Sequence, residues 1–455
     1  MQKGDRNFIV FWILAIIFLV GWYNFWQGRN RVNDFSTISS IIDFLPMNEL
    51  KKEKFKTMAG FAEYLFEKDG EEKTFMILFQ NNMELRPGGG YIGSFGILKM
   101  KDGKVLELAT HDLSNFDGRV PDGIVPPYPI KETLRVSDWK LRDSNWSPDF
   151  SENAKKADEF YRLGQGQENF AGIIAINSNV LQSFLKVTGP VEIPGYPGTY
   201  DSENAILDLE YQVEKGFYKQ GLKIGERKGV MNLLAQEIQK KVFGLNMSEK
   251  VKLAEIILDD LNRKDIQLYF KDENLQSLAH KAQWDGNVDK NWSGDYLMLV
   301  DANMGALKSD YHMRRSFSYT VDLSGEEPKV SLKVTYAHTA KEKDWMTKDY
   351  LTYLRVYTPN GSWLVDTKNL GEKRFSEELG KKYFGTIVGV PLGQTKTLEF
   401  FYTLPKIIGE DYDLLIQRQS GSGEVKGEVN VIYKSLKKMT YQIDLSRDWK
   451  LSENQ

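Results

Sequence analysis

The densest concentration of chemically capable residues is the run Asn81-Asn82-Met83-Glu84-Leu85-Arg86-Pro87-Gly88-Gly89-Gly90-Tyr91. Three consecutive glycines let backbone amides come close to an anion, and a guanidinium can fork onto phosphate or carboxylate. Arg86 is therefore a candidate anion-binding residue. No Lys-Ser or Lys-Thr follows the glycines, so the run is not a nucleotide-binding P-loop. It also reads as a tight turn in which Glu84 and Arg86 pair locally. A second cluster gathers His111, Asp112, Asp117, Arg119 and Asp122 in a loop punctuated by glycine and proline. Carboxylates at loop spacing can hold Mg2+ with several waters retained, and a solvated acidic loop has the same composition. A third, LRDSNWSPDF over Leu141–Phe150, places Arg142 and Asp143 beside Asn145 and Trp146. It reads equally as a site or as a hydrogen-bonded lid whose Trp146 plugs the core. Arg142 joins Arg86 as a candidate cation, and Asp112 and Asp143 are candidate Mg2+ ligands or local arginine partners.

Other chemistries find little footing. The chain has no cysteine, which removes disulfides, thiolate metal sites and a cysteine nucleophile. None of the four histidines pairs at metal-ligand spacing. Ser94 lies in Gly-Ser-Phe-Gly, and Ile92 stands where a hydrolase elbow needs glycine. A formal net charge of -3 provides no basic field for nucleic acid, so no nucleic-acid partner is expected.

The elements that must position these residues are legible in the hydrophobic pattern. The chain has 455 residues, 41% apolar and 27% charged, enough for two or three domains with sizeable cores. Over residues 71–300 strands and helices interleave. Thr74–Gln80 and Gly172–Ile176 read as buried strands. Asp102-Gly103 marks a hairpin between Ile97–Met100 and Val105–Leu108. Ser178 is a candidate cap for a helix through Lys186, ended by Gly189-Pro190. Helices are expected over Ser202–Lys215, Arg227–Val242 and Ser248–Asn262, and strands over Ile266–Phe270 and Tyr296–Val300. This pattern predicts an α/β domain. After about Arg314 helical periodicity disappears, and about seven short strands between Ser316 and Leu445 predict an all-β sandwich domain over 301–445.

The N-terminus predicts a transmembrane helix. Phe8–Trp26 reads FIVFWILAIIFLVGWYNFW, which at about 1.5 Å per residue spans roughly 28 Å. Lys3 and Arg6 precede it, placing residues 1–7 in the cytoplasm, and Trp22, Tyr23, Phe25 and Trp26 form an aromatic belt at the far end. No small-residue cleavage site follows the apolar core, so a retained single-pass anchor is expected, with everything beyond it extracytoplasmic at the cell membrane. Residues 27–70 read as a helical stalk, in which Phe55, Met58, Ala62 and Leu65 repeat at helical spacing.

The runs FQNNMELRPGGGYIGSFGIL, RDSNWSPDF, FAGIIAINSNVLQSFLKVTGPVEI, DANMGALKSDY, YLTYLRVYTPNGS and FFYTLPK resemble the bacterial domain-of-unknown-function family 4012, over about residues 71–435. That resemblance implies an anchored envelope protein. A more distant resemblance is to the LytR-CpsA-Psr family, through Phe170–Ile193 and the Glu226-Arg227-Lys228 segment. It implies a LytR-CpsA-Psr-like mixed sheet and transfer of glycopolymer from a polyprenyl-pyrophosphate carrier. It also implies arginines that clamp the pyrophosphate, Arg86 and Arg227 by position, and an acidic residue that holds Mg2+. Where that family has Arg-Ser-Asp, this chain has Arg86-Pro87-Gly88. The competing expectation is a non-catalytic surface module that binds a cell-surface glycan or a protein.

Overall fold

The computed structural model describes residues 49–223, 227, 229–409 and 412–452. The expected cytoplasmic tail, the apolar run Phe8–Trp26 and residues 27–48 of the expected stalk lie outside the described residues. Among the described residues no helix is long and apolar enough to cross a membrane. The chain is a mixed α/β protein with several sheets and a β-rich C-terminal region. It forms two compact units.

The first unit takes residues up to 80, 92–120 and 161–285. The expected stalk begins here as helix α1 (Glu49–Phe66), which buries Met58, Phe61, Ala62 and Leu65 in the unit's core. That burial is the packing role a helical apolar stripe usually has. Five strands form its sheet: β1 (Glu72–Asn81), β2 (Tyr91–Lys101), β3 (Lys104–Asp112), β4 (Gly172–Asn177) and β5 (Ile266–Phe270), in the order β3-β2-β1-β4-β5. β1 and β4 run parallel and are buried along most of their length, as their near-continuous apolar sequences require. Asp102 and Gly103 both take positive φ, 49° and 75°, and close the β2–β3 hairpin as the Asp-Gly signal predicts.

Helix α2 (Phe150–Leu163) is shared between the units by sequence. Three further helices, α3 (Asn179–Thr188), α4 (Gly229–Gly244) and α5 (Met247–Asn262), and the later α6 (Glu273–Lys281), belong to the first unit. Ser178 does not cap α3. The Asn177 carboxamide accepts from Asn179 N at 3.0 Å instead. α5 starts before Ser248, because Asn246 and Glu249 form a reciprocal capping box. The expected helix over Ser202–Lys215 is a short α-helix, Ala205–Tyr211, that runs into a π segment at Gln212–Gly216.

The second unit takes 81–91, 121–160 and 286 onward. It contains β6 (Asp295–Asn303), β7 (Met313–Asp322), β8 (Lys329–His338), β9 (Tyr350–Pro359), β10 (Trp363–Lys368), β11 (Lys373–Glu378), β12 (Lys381–Val390), β13 (Thr395–Thr403), β14 (Leu414–Gln417), β15 (Val425–Ile432), β16 (Lys438–Asp444) and β17 (Trp449–Leu451). Two six-stranded sheets result, β10-β13-β8-β7-β15-β16 and β11-β12-β9-β6-β14-β17. Alternate residues from both, among them Phe317, Leu332, Val356, Phe384 and Phe400, fill one core. The expected boundary at residue 300 falls inside β6. That strand pairs with β9 and β14, so Tyr296–Val300 belongs to the β-rich unit and not to the α/β unit. Strands β10, β11, β12 and β17 lie outside the expected set; β10 and β11 are largely exposed and charged and lack an apolar face, whereas β12 is largely buried and β17 is only three residues long.

Candidate functional site

Strand β1 ends at Asn81, whose carboxamide accepts from Met83 N at 3.0 Å, and Tyr91 N closes the loop onto Glu84 O at 2.9 Å. Inside this loop Arg86 turns inward and is only 2% exposed. Its Nε donates to Asp143 Oδ1 at 3.1 Å, Nη2 to Glu84 Oε1 at 3.0 Å, and Nη1 to the Asn303 carbonyl at 3.0 Å. The Tyr91 ring lies 5.4 Å away. Burial opposes the charge on Arg86, but Glu84 and Asp143 hold its pKa above the ordinary arginine value. Burial also pushes the Tyr91 phenol up to about 12.

The glycines serve the same packing. Gly88 N donates to Asn145 O at 3.0 Å, and the Asn145 side chain donates to Gly90 O at 2.6 Å. A Cβ on Gly90 would stand 2.5 Å from the Asn81 backbone, and one on Gly88 would stand 2.3 Å from Asn153 Nδ2. The close approach that requires glycine is made by the chain itself, not left open for an anion.

A second buried ionic group adjoins it. Arg315 pairs with Asp301 at 2.9 Å and with Asp310, and donates to Tyr350 OH at 2.7 Å. Tyr336 and Thr352 both donate to Asp301 Oδ1 at 2.9 Å. Burial raises the pKa of Asp301 while Arg315 pulls it down. Asp310 Oδ2 accepts from Leu85 N at 3.0 Å and from Asn303 Nδ2 at 2.7 Å. Gln419 Nε2 bridges Arg86 O at 3.1 Å and Asp301 O at 2.7 Å. One continuous polar network therefore ties residues 84–91, 143–145, 301–315 and Gln419 together. Each of its two guanidiniums is held between two carboxylates, Arg86 by Glu84 and Asp143 and Arg315 by Asp301 and Asp310, which is the arrangement of a buried polar network. Sequence reading did not single out Asp301, Asp310, Arg315 or Gln419. The available signal was two carboxylates at either end of DANMGALKSD, directly after an apolar strand.

Of the residues proposed from sequence, Arg86 and Asp143 come together as an ion pair. Arg142 is half-buried beside them in the chain and acts electrostatically on Tyr91. Arg227 and Asp112 belong to the first unit. Arg227 pairs with Glu214 at 3.3 Å, and Asp112 Oδ1 accepts from Ser114 N at 2.9 Å, capping a short helix. Trp146 is buried in an apolar cluster, and Arg355 Nη2 donates to its carbonyl at 2.9 Å, the core-plug reading of that loop. The residues named for Mg2+ do not fit the ion: Asp143 is engaged by a guanidinium, and Asp112 caps a helix in the other unit. Among the described residues no three histidine, cysteine or carboxylate side chains gather closely enough to hold a metal.

One further feature of the first unit is a cavity of about 60 Å³ between α1, α5 and the sheet. Phe61, Leu65, Met100, Ile257, Leu261 and Trp284 are among its walls, which are almost wholly carbon.

Residues 70–213 match the family model described as Protein of unknown function (DUF4012). The DUF4012 match ends well short of the expected residue 435, so 301–315 and Gln419 lie beyond it. No curated protein matches the chain. Among solved structures, the Lin1025 protein from Listeria innocua aligns at 12% identity and a TM-score of 0.25, over 48% of this chain and 81% of that one. The Legionella pneumophila protein lpg2210 aligns at 9% identity and a TM-score of 0.20, over 30% of this chain. The chain spans about half the length of that Legionella protein, 54%. The resemblance to the LytR-CpsA-Psr family gains no support from these matches.

Proposed function

We propose that the protein is a single-pass, membrane-anchored envelope protein whose extracytoplasmic α/β unit holds the apolar end of a polyprenyl-type lipid carrier. The observation that carries this reading is the carbon-lined cavity under α1. An apolar cavity of about 150 Å³ accepts a benzene ring. At about 60 Å³ the resting cavity has room for a branched methyl end, and a longer chain enters only as α1 shifts outward. Glycopolymer transfer from a polyprenyl pyrophosphate at Arg86 is disfavoured, because the clamp would first have to break a buried ion pair.

The test is a titration of full-length protein in nanodiscs with a fluorescent geranyl pyrophosphate. Ala62→Phe fills the cavity and is expected to weaken binding about tenfold. Equal binding by wild type and variant, with matching melting curves, would sink the proposal. The reading of a sandwich-like glycan-binding module is favoured by a different observation. Trp363 and Phe375 stand largely exposed on the β-rich unit.

A further inference from the structure

Strand β11 is the outermost strand of its sheet, and its one strand neighbour among the described residues is β12. The ladder between them runs without a bulge from Lys373↔Thr386 to Glu378↔Lys381. Residues 373–377 are all exposed. Alternate positions of a strand share a face, so Lys373, Phe375 and Glu377 project together. Phe375 identifies that face. It stands opposite Phe384 in the ladder, and its ring lies 6.0 Å from the ring of Phe384, which is buried in the core. Phe375 itself is 55% exposed. The core of the β-rich unit thus ends on an uncovered ring, with a lysine two residues before it and a glutamate two residues after. The other face of the strand is engaged within the unit: Arg374 lies 3.6 Å from the centre of the Tyr128 ring, and Glu378 pairs with Arg355 at 3.1 Å.

The charges along β11 match a second β11. Two identical antiparallel strands related by a two-fold axis oppose residues whose numbers have a constant sum. Outward-turned N–H and C=O groups belong to every second residue, so opposed residues come from the same alternate set and that sum is even. The axis therefore passes through a residue. Centred on Lys373 or on Glu377, it opposes like charges. Centred on Arg374 or on Ser376, it sets Phe375 against Lys373 or Glu377. Centred on Phe375, it sets ring against ring and Lys373 of each chain against Glu377 of the other. Aromatic and opposite-charge pairs stabilise cross-strand neighbours, and like charges oppose them. Glu377 already faces Lys382 across its own ladder, so each Glu377 would lie between two lysines. Charges on an edge repel a strand whose charges do not match, and here the same charges select one that does.

We propose that β11 pairs with β11 of a second copy of this chain, antiparallel and centred on Phe375, joining the six-stranded sheets of the two copies edge to edge. The contact is small, so association is of the weak class and the test uses concentrated protein. The chain has no cysteine, so an introduced thiol reports the register without background. Opposed residues lie about 4.5–5.5 Å apart between Cα atoms, within reach of a disulfide, whereas a displacement of four residues puts them roughly 13 Å apart along the strand. Full-length protein in detergent micelles would be oxidised with copper phenanthroline and run on a non-reducing gel. Phe375→Cys is expected to give a covalent dimer. Lys373→Cys and Glu377→Cys should each stay monomeric alone and crosslink when mixed. In sedimentation of the uncrosslinked chain, Lys373→Glu or Glu377→Lys should weaken the dimer about tenfold, and the chain carrying both exchanges should recover it. All three positions are exposed, so melting temperatures should match wild type. Crosslinking of Lys373→Cys or Glu377→Cys alone as readily as in the mixture overturns the pairing centred on Phe375. Self-association untouched by either charge reversal places the contact on another surface and overturns the proposal, as does a chain that stays monomeric throughout.

Discussion

Arg86 holds a full positive charge almost out of contact with water because Glu84 and Asp143 stand 3.0 and 3.1 Å away. Removing one partner of such a group leaves the others charged and unpaired. Arg86→Ala is therefore expected to destabilise the protein by about 3–5 kcal/mol, read as a lower urea midpoint at an unchanged slope. A folded, equally stable variant would contradict the structural role. Asp295 offers a test through pH. It is fully buried, its Oδ2 accepts from Tyr319 OH at 2.5 Å and Tyr412 OH at 2.7 Å, and burial raises its pKa from 3.8 to about 6 despite those bonds. Between pH 4 and 6 the folded chain keeps a proton that the unfolded chain has lost. Its contribution is thus full below pH 4 and falls away as pH rises through 6. Asp295→Asn cannot titrate. Relative to wild type, its stability should improve by up to ~3 kcal/mol between pH 4 and pH 7, measured by denaturation at both values. A pH-independent difference would rule this out.

The loop after β1 and the helix α5 are where element-level packing can be tested. Gly90→Ala drives a methyl group into the Asn81–Asn82 backbone and should lose about 1–3 kcal/mol, whereas Gly93→Ala, with nothing within 4 Å of its Cβ, should stay within about 0.5 kcal/mol. Asn246→Ala dissolves the capping box of α5 and should lose about 1 kcal/mol in a thermal melt. Sequence pattern identified elements whose burial is uniform or whose turn is chemically distinctive: β1, β4, the Asp-Gly hairpin and most of the inward-alternating strands of the β-rich unit. It missed β10 and β11, since an edge strand that buries little carries no periodic apolar signal, and it also missed the largely buried β12 and the three-residue β17. For the candidate site the right runs stood out, but not their fate. Residue types at 81–91 and 141–150 advertise polar chemistry. Whether that chemistry faces a ligand depends on partners 57 and 217 residues further along the chain. Spacing within a loop carries no record of such distant partners, so a saturated ion pair and an open anion clamp look alike in the sequence.

The whole chain passes between its two units at 80/81, 91/92, 120/121, 160/161 and 285/286. The β-rich unit therefore depends on early segments. Asn303 N donates to Leu85 O at 2.9 Å, Leu85 N to Asp310, and Arg355 to the Trp146 carbonyl. A fragment of residues 286–455 keeps all twelve strands of the two large sheets yet loses those partners. It is expected to show poorly dispersed amide NMR resonances and rapid proteolysis, and a well-dispersed spectrum would refute the dependence. The same interleaving bears on descent. Recombination moves contiguous stretches of gene, and every contiguous stretch that removes one of these units takes part of the other with it. Even the DUF4012 stretch, 70–213, holds portions of both. Relatives that shuffle modules should then carry the pair intact or not at all, and their lengths should vary by additions at loops such as Asn360–Ser362 rather than by loss of a half.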